Sequence, residues 1–247
     1  MTSGAPGPIS PVRLDGSDWI PGSLRQELEH RRDWFEADEY GDRIAREQWF
    51  SDLAQALESE CVRRGVIAFH CTREAEPGEI RARGLRILRG GGDAHRAEFL
   101  ARHAHRFTAD ELQTIRHDFA EVWGDGRFAR GREDRLCFAL IHPRHWGSGC
   151  NDLLGIYGGE AIYGTWGREG PIVDKLSRIG RPAVVHFRLD LRKIHTFQDN
   201  PAGRTVIWAW HRTVRADVSG YWCEGYVKAD VPPSDILKVE HWSPKKP

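Results

Sequence analysis

No run of eighteen apolar residues occurs anywhere in the 247 positions, so nothing in the chain reads as a membrane-spanning helix. The opening segment, MTSGAPGPISPVRLDG, lacks the basic-then-apolar order of a cleavable export signal. Cysteine is scarce. Cys61, Cys71, Cys137, Cys150 and Cys223 are odd in number and scattered, which argues against a disulfide framework and reads as cytosolic thiols. Neither sign of charge prevails, since 36 basic residues meet 36 acidic ones, and this argues against a binder that relies on phosphate attraction. There is no internal repeat, and Gly90-Gly91-Gly92 is a break with no Lys-Ser/Thr pair after it to make a phosphate loop. Together these absences predict a soluble, cytoplasmic protein with no membrane partner, or one delivered into a target cell without a cleavable signal.

What is present is enough for a substantial core. A chain of this length fits one large domain, or one domain with an extension, and 40% hydrophobic residues argue against global disorder. Only six basic residues are Lys, and the Arg forks that make up the rest suit carboxylate and phosphate recognition as well as a solvated surface.

Residues 1–22 are rich in Gly, Pro and Ser and are expected to lie loose over the surface. Leu24, Leu28, Trp34 and Phe35 suggest one helix, while Trp49, Phe50, Leu53, Leu57 and Cys61 give a second apolar stripe at helical spacing. Gly65 fits a helix C-terminal cap, and residues 66–70 a short buried strand. After Pro77-Gly78, Ile80 and Leu85 suggest a short helix ending at Gly84. Residues 94–106 and 109–123 read as two polar helices, the second with a capping box from Thr108 and Glu111. From Leu136 the character changes. Short apolar runs at 136–141, 153–157, 183–189, 205–210, 220–227 and 236–241 are expected as strands, with 161–166 and 172–179 as helical interruptions. The expected class is α+β, with a helical N-terminal extension over 1–64 and the sheet-bearing domain over 65–247.

Three segments carry the candidate chemistry. The first is Phe69-His70-Cys71-Thr72-Arg73, followed by Glu79-Ile80 and then Gly84-Leu85. The second is Gly155-Ile156-Tyr157-Gly158. The third runs from Glu224-Gly225-Tyr226-Val227 through Val231-Pro232-Pro233-Ser234-Asp235-Ile236, a carboxylate at the head of an alternating strand closed by a Pro-Pro turn. In this order, over about residues 66–241, they resemble the motifs of the ADP-ribosyltransferase superfamily, in its His-Tyr-Glu branch of poly(ADP-ribose) polymerases and diphtheria-type toxins. The closing segment is also similar to that of bacterial DarT-like toxins that modify DNA.

That resemblance implies a split-sheet fold, NAD as substrate, and transfer of ADP-ribose to a macromolecule, either protein or nucleic acid. It implies His70 on a ribose hydroxyl, Cys71 in backbone contact with the nicotinamide amide, and Thr72 and Arg73 beside them. Most relatives have Gly where Cys71 stands, which implies tighter steric limits. Tyr157 takes the ring-stacking role, with Tyr163 as the second choice. Glu224 takes the role of catalytic acid group, binding ribose and stabilising the developing cation. Trp222 stands where arginine-modifying members carry Glu or Gln, which disfavours arginine as acceptor. Bacterial relatives of this size are often toxins, effectors or phage-defence proteins, which implies an antitoxin or immunity protein as partner. Two other functions remain open on the same fold: an NAD-using RNA 2′-phosphotransferase, which does not rely on the Glu, and a non-catalytic module that binds NAD or ADP-ribose.

Each of these residues also has a structural explanation. A His at a strand end can be a hydrogen-bonded core residue, Tyr157 a core aromatic, and Glu224 a solvated charge on an edge strand. Cys137, His142, His145 and Cys150 have a tetrahedral zinc donor set, but their spacing matches no standard finger and Cys137 reads better as part of a strand, so no metal is expected. His95, His103, His105 and His117 are expected to face solvent. The arginines Arg81, Arg83, Arg86, Arg89 and Arg96, and Arg127, Arg130, Arg132 and Arg135, are expected mostly on the surface, with one or two of them, or Arg73, on the NAD pyrophosphate.

Overall fold

The computed structural model describes residues 10–124, 133–145, 150–218 and 223–242. Among these, the helices are α1 (Gly22–His30), α2 (Arg32–Ala37), α3 (Gln48–Arg64), α4 (Glu79–Arg83), α5 (Asp93–His103), α6 (Ala109–Trp123), α7 (Asn151–Gly155), α8 (Glu160–Tyr163), α9 (Pro171–Leu176) and α10 (Pro201–Val214). The strands are β1 (Val66–Glu74), β2 (Leu136–Ala139), β3 (Arg181–Leu189), β4 (Ile194–Thr196), β5 (Glu224–Val227) and β6 (Ile236–His241), in one sheet of order β4-β5-β2-β1-β3-β6. The α+β class expected from the sequence is the class observed. The chain divides into two compact units. One comprises residues 1–69, 139–146 and 188–225, and the other residues 70–138, 147–187 and 226–247. Residues 10–64 share the first of these units with two later segments.

In the first unit, α3 buries Phe50, Leu53, Ala54, Leu57 and Cys61 at the spacing of one helix face. Gly65 ends it at φ +76°, its N–H donating to the Cys61 carbonyl at 2.8 Å. The expected single helix after Ser23 is two, α1 and α2, broken at Arg31 with φ −102° and ψ 17°. The N-terminal segment is not loose over its described part. Val12 pairs with Val66, accepting from Ile67 N at 2.8 Å and donating to Gly65 O at 3.0 Å, and Leu14 is fully buried. The largest correction is at 205–210, which lies inside helix α10 and not in a strand. Pro201 occupies its first turn, and Val206, Ile207, Trp208, Trp210 and His211 are buried on nearly every side. An apolar run of six residues reads alike as a core strand or as part of a buried helix, so apolarity alone cannot tell the two apart.

In the second unit, β3 and β6 pair antiparallel with Val185 opposite Val239, and a bulge interrupts the register between His186 and Phe187. Helices α5, α6, α8 and α9 close over a cluster that includes Phe99, Ile115, Phe119, Ile162, Tyr163 and Leu176. The capping box of α6 forms as expected: Thr108 N donates to Glu111 Oε2 at 2.7 Å, and Glu111 N to Thr108 Oγ1 at 3.3 Å. Residues 153–157, expected as a strand, instead contain most of the short helix α7 and the turn after it.

Candidate functional site

Strand β1 runs four residues past the expected end at residue 70, through Glu74, and its period of two separates the site residues. His70 and Thr72 are half-buried on one side of the strand, while Cys71 on the other is buried. His70 Nδ1 lies 2.8 Å from the Cys137 carbonyl. A carbonyl only accepts, so Nδ1 carries the proton and Nε2 of the neutral ring is left as an acceptor. Burial holds the imidazole below its ordinary pKa, against the opposing pull of the Cys137 bond, so the neutral form prevails at pH 7.

The Cys71 and Cys150 thiols are hydrogen-bonded to each other, which lowers the Cys150 pKa against the effect of burial. Arg73 departs from expectation. Its Nε donates to Ile179 O at 2.9 Å, Nη1 to Leu154 O at 2.6 Å and Gly155 O at 3.3 Å, and Nη2 to Ser177 O at 2.8 Å and Gly180 O at 2.9 Å. Five N–H groups meet five carbonyls, so the expected pyrophosphate contact would have to displace protein acceptors that already saturate the fork.

Tyr157 follows α7 and lines an open cleft together with Arg73, Phe99, His95 and a lattice of ion pairs. Arg102 grips Glu79 with both forks, at 2.5 and 2.9 Å, and Arg83 bridges Glu79 at 2.8 Å and Glu98 at 3.1 Å. Arg86 reaches Glu98 at 2.7 Å. The Arg102 hydrogen bonds pull Glu79 down to about 2, more than burial raises it. Burial pushes the Tyr157 hydroxyl up, so it stays protonated at neutral pH. Its ring stands edge-on to His103 at 4.9 Å and tilted against Phe99 at 6.4 Å. Tyr163, the second choice for the stacking role, is buried in the apolar cluster.

Of the expected site residues, then, Arg73 and Tyr157 share the cleft, whereas His70, Cys71 and Thr72 do not line it. Glu224 opens β5 with its side chain exposed, and it belongs to the first unit while His70 and Tyr157 belong to the second. The first and third motifs do meet within the second unit. Leu85 and Val231 exchange backbone hydrogen bonds of 2.9 and 2.8 Å. Gly84 has φ +73°, and a Cβ there would lie 2.1 Å from the Val231 carbonyl oxygen, so only glycine allows the approach. Asp230 adds bonds to Ile87 N at 2.9 Å and Arg89 at 2.8 Å.

Several expected surface groups turn inward. Arg96 is buried, stacking over Trp123 at 4.8 Å. His103 is 3% exposed, against the expectation that it faces solvent. The signal lay in the helical spacing of α5, where Phe99 and His103 are one turn apart, as are Glu98 and Arg102. Burial first, and then Arg102, depress His103 to about 4 from its ordinary 6.5. The unfolded chain therefore binds a proton that the folded one refuses between these values, and stability falls as pH drops from 6.5 through 4. His103→Phe is expected to flatten the pH dependence of urea midpoints in that window; an unchanged slope would locate the titration elsewhere.

Cys137 is exposed on β2, His142 Nδ1 accepts from Arg144 N at 3.1 Å, and His145 Nε2 sits 3.6 Å from Asp15. Trp222, Arg127, Arg130 and Arg132 lie outside the described residues. Compared with family models, curated proteins and solved structures, the chain matches none of them.

Proposed function

We propose that this protein is an NAD-dependent mono-ADP-ribosyltransferase acting on a macromolecule. The observation that carries the reading is the junction of Leu85 with Val231, because it unites two segments some 145 residues apart that the resemblance assigns to one site. The His70 ring supports it, since a neutral imidazole with Nε2 free to accept is the form that takes a hydrogen bond from a ribose hydroxyl. In the proposed reaction the bond between nicotinamide nitrogen and ribose C1′ breaks, its electron pair leaving with neutral nicotinamide. C1′ bonds to a nucleophilic atom of the acceptor, which gives up its proton. The transition state is oxocarbenium-like. On the resemblance alone, Tyr157 is given the nicotinamide ring, His70 the ribose and Glu224 the negative charge for the developing cation. Arg83 and Arg86, each about half exposed at the cleft, are the forks available to the pyrophosphate.

The test is incubation of the protein with NAD labelled in its adenylate half and a cell lysate, followed by separate protease and nuclease digestion. Label on one macromolecular fraction, nicotinamide released with it, and loss of both in His70→Ala are expected. Absence of nicotinamide release by the wild type would sink the reading.

A further inference from the structure

We propose that Arg73 is a positioning residue that sets Tyr157 at the cleft, by tying the ends of two helices to the strand that carries His70. The inference rests on Tyr157 being the nicotinamide-stacking residue. Helix α7 is five residues long and cannot hold its own shape, and its last carbonyls have no partners within the helix. Arg73 supplies them, donating to Leu154 and Gly155, the final two residues of α7. The same guanidinium takes the carbonyls of Ser177, Ile179 and Gly180, which follow the end of α9. One cation thus closes the negative ends of two helices.

Tyr157 stands two residues beyond the last clamped carbonyl, and the residue between, Ile156, is buried in the core. On its other side Gly158 turns at φ +91° tightly over Ile162, where a Cβ would lie 2.4 Å from that side chain. The Tyr157 ring is therefore fixed from both flanks. Within the same clamp, the Gly180 turn abuts β1 so closely that a Cβ would lie 2.3 Å from the Glu74 carbonyl oxygen. A lysine at 73 keeps the charge but offers three donors from one point, so it cannot span five carbonyls.

A double-mutant cycle tests this. NAD cleavage is followed in wild type, Arg73→Lys, Tyr157→Ala and the double variant, with hydrogen exchange measured on wild type and both Arg73→Lys and Arg73→Gln. Arg73→Lys is expected to raise KM for NAD about tenfold with a smaller change in kcat, and to add nothing further in the Tyr157→Ala background. Amides at 154–158 and 177–180 should exchange about tenfold faster in both Arg73 variants, with those of β3 unchanged. Effects that multiply in the double variant, or exchange unchanged around Tyr157, would overturn the proposal. So would global unfolding of both variants, since loss of a positioning residue loosens one segment only. If the wild type cleaves no NAD while the exchange result holds, the positioning stands and the transferase reading fails. Cleavage by the wild type with no change in exchange keeps the transferase reading and removes the positioning role of Arg73.

Discussion

Glu224→Gln is expected to cut nicotinamide release from NAD by about a hundred- to a thousandfold, the loss typical when one preorganised electrostatic group is removed from a transition state. The substitution keeps the size and one acceptor oxygen, removes the charge, and puts an NH2 donor where the second oxygen stood. Stability should hardly move. The carboxylate is exposed at the first position of β5 and makes no hydrogen bond or ion pair among the described residues, so a change within about 0.5 kcal/mol is anticipated. Rate and stability are thereby separated: a loss of cleavage at an unchanged melting temperature assigns Glu224 to the chemistry. Undiminished cleavage would remove it from the mechanism and favour an RNA 2′-phosphotransferase, which does not depend on this acid.

Gly203→Ala should destabilise the first unit by about 3 kcal/mol, although alanine is the better helix former by about 1 kcal/mol. The site is where α10 crosses α3. A Cβ on residue 203 would lie 1.9 Å from the Ala54 carbonyl oxygen, 2.7 Å from its carbon and 3.0 Å from the Glu58 amide nitrogen. All three are backbone atoms of a helix, so nothing flexible can yield. The crossing also carries the cap of α10, because Gly203 N donates to the Glu58 carboxylate at 2.8 Å, and burial raises the Glu58 pKa despite that bond. Forcing the helices apart therefore strains packing and cap together. Denaturant midpoints at constant slope give the measurement. A midpoint equal to or above that of the wild type would show that the crossing is looser than these distances state.

The residues that made the site legible in the sequence did so through local rules. The Gly84 turn, the strand before it and the Pro-Pro turn after β5 each follow from a few neighbouring residues. What those rules left out was the choice of partner. An Arg fork suits phosphate, which points Arg73 to a pyrophosphate, but it suits a cluster of carbonyls equally well, and its acceptors lie 81 to 107 residues away. The polar character of α5 points His103 to solvent, yet its spacing from Phe99 turns it inward beside Tyr157.

By itself the amino-acid order determined the α+β class, the amphipathic face of α3, the capping box of α6, and strands β1, β3 and β6. Each of these is written within a window of a turn or a few alternating residues. Tertiary structure alone decided that 205–210 is helical, that α7 replaces a strand before Tyr157, that Leu85 finds Val231, and which side chains crowd the cleft. A short apolar run is too brief to separate a core strand from a buried helix, and a donor's partner depends on which distant carbonyls the folded chain brings within 3 Å of it.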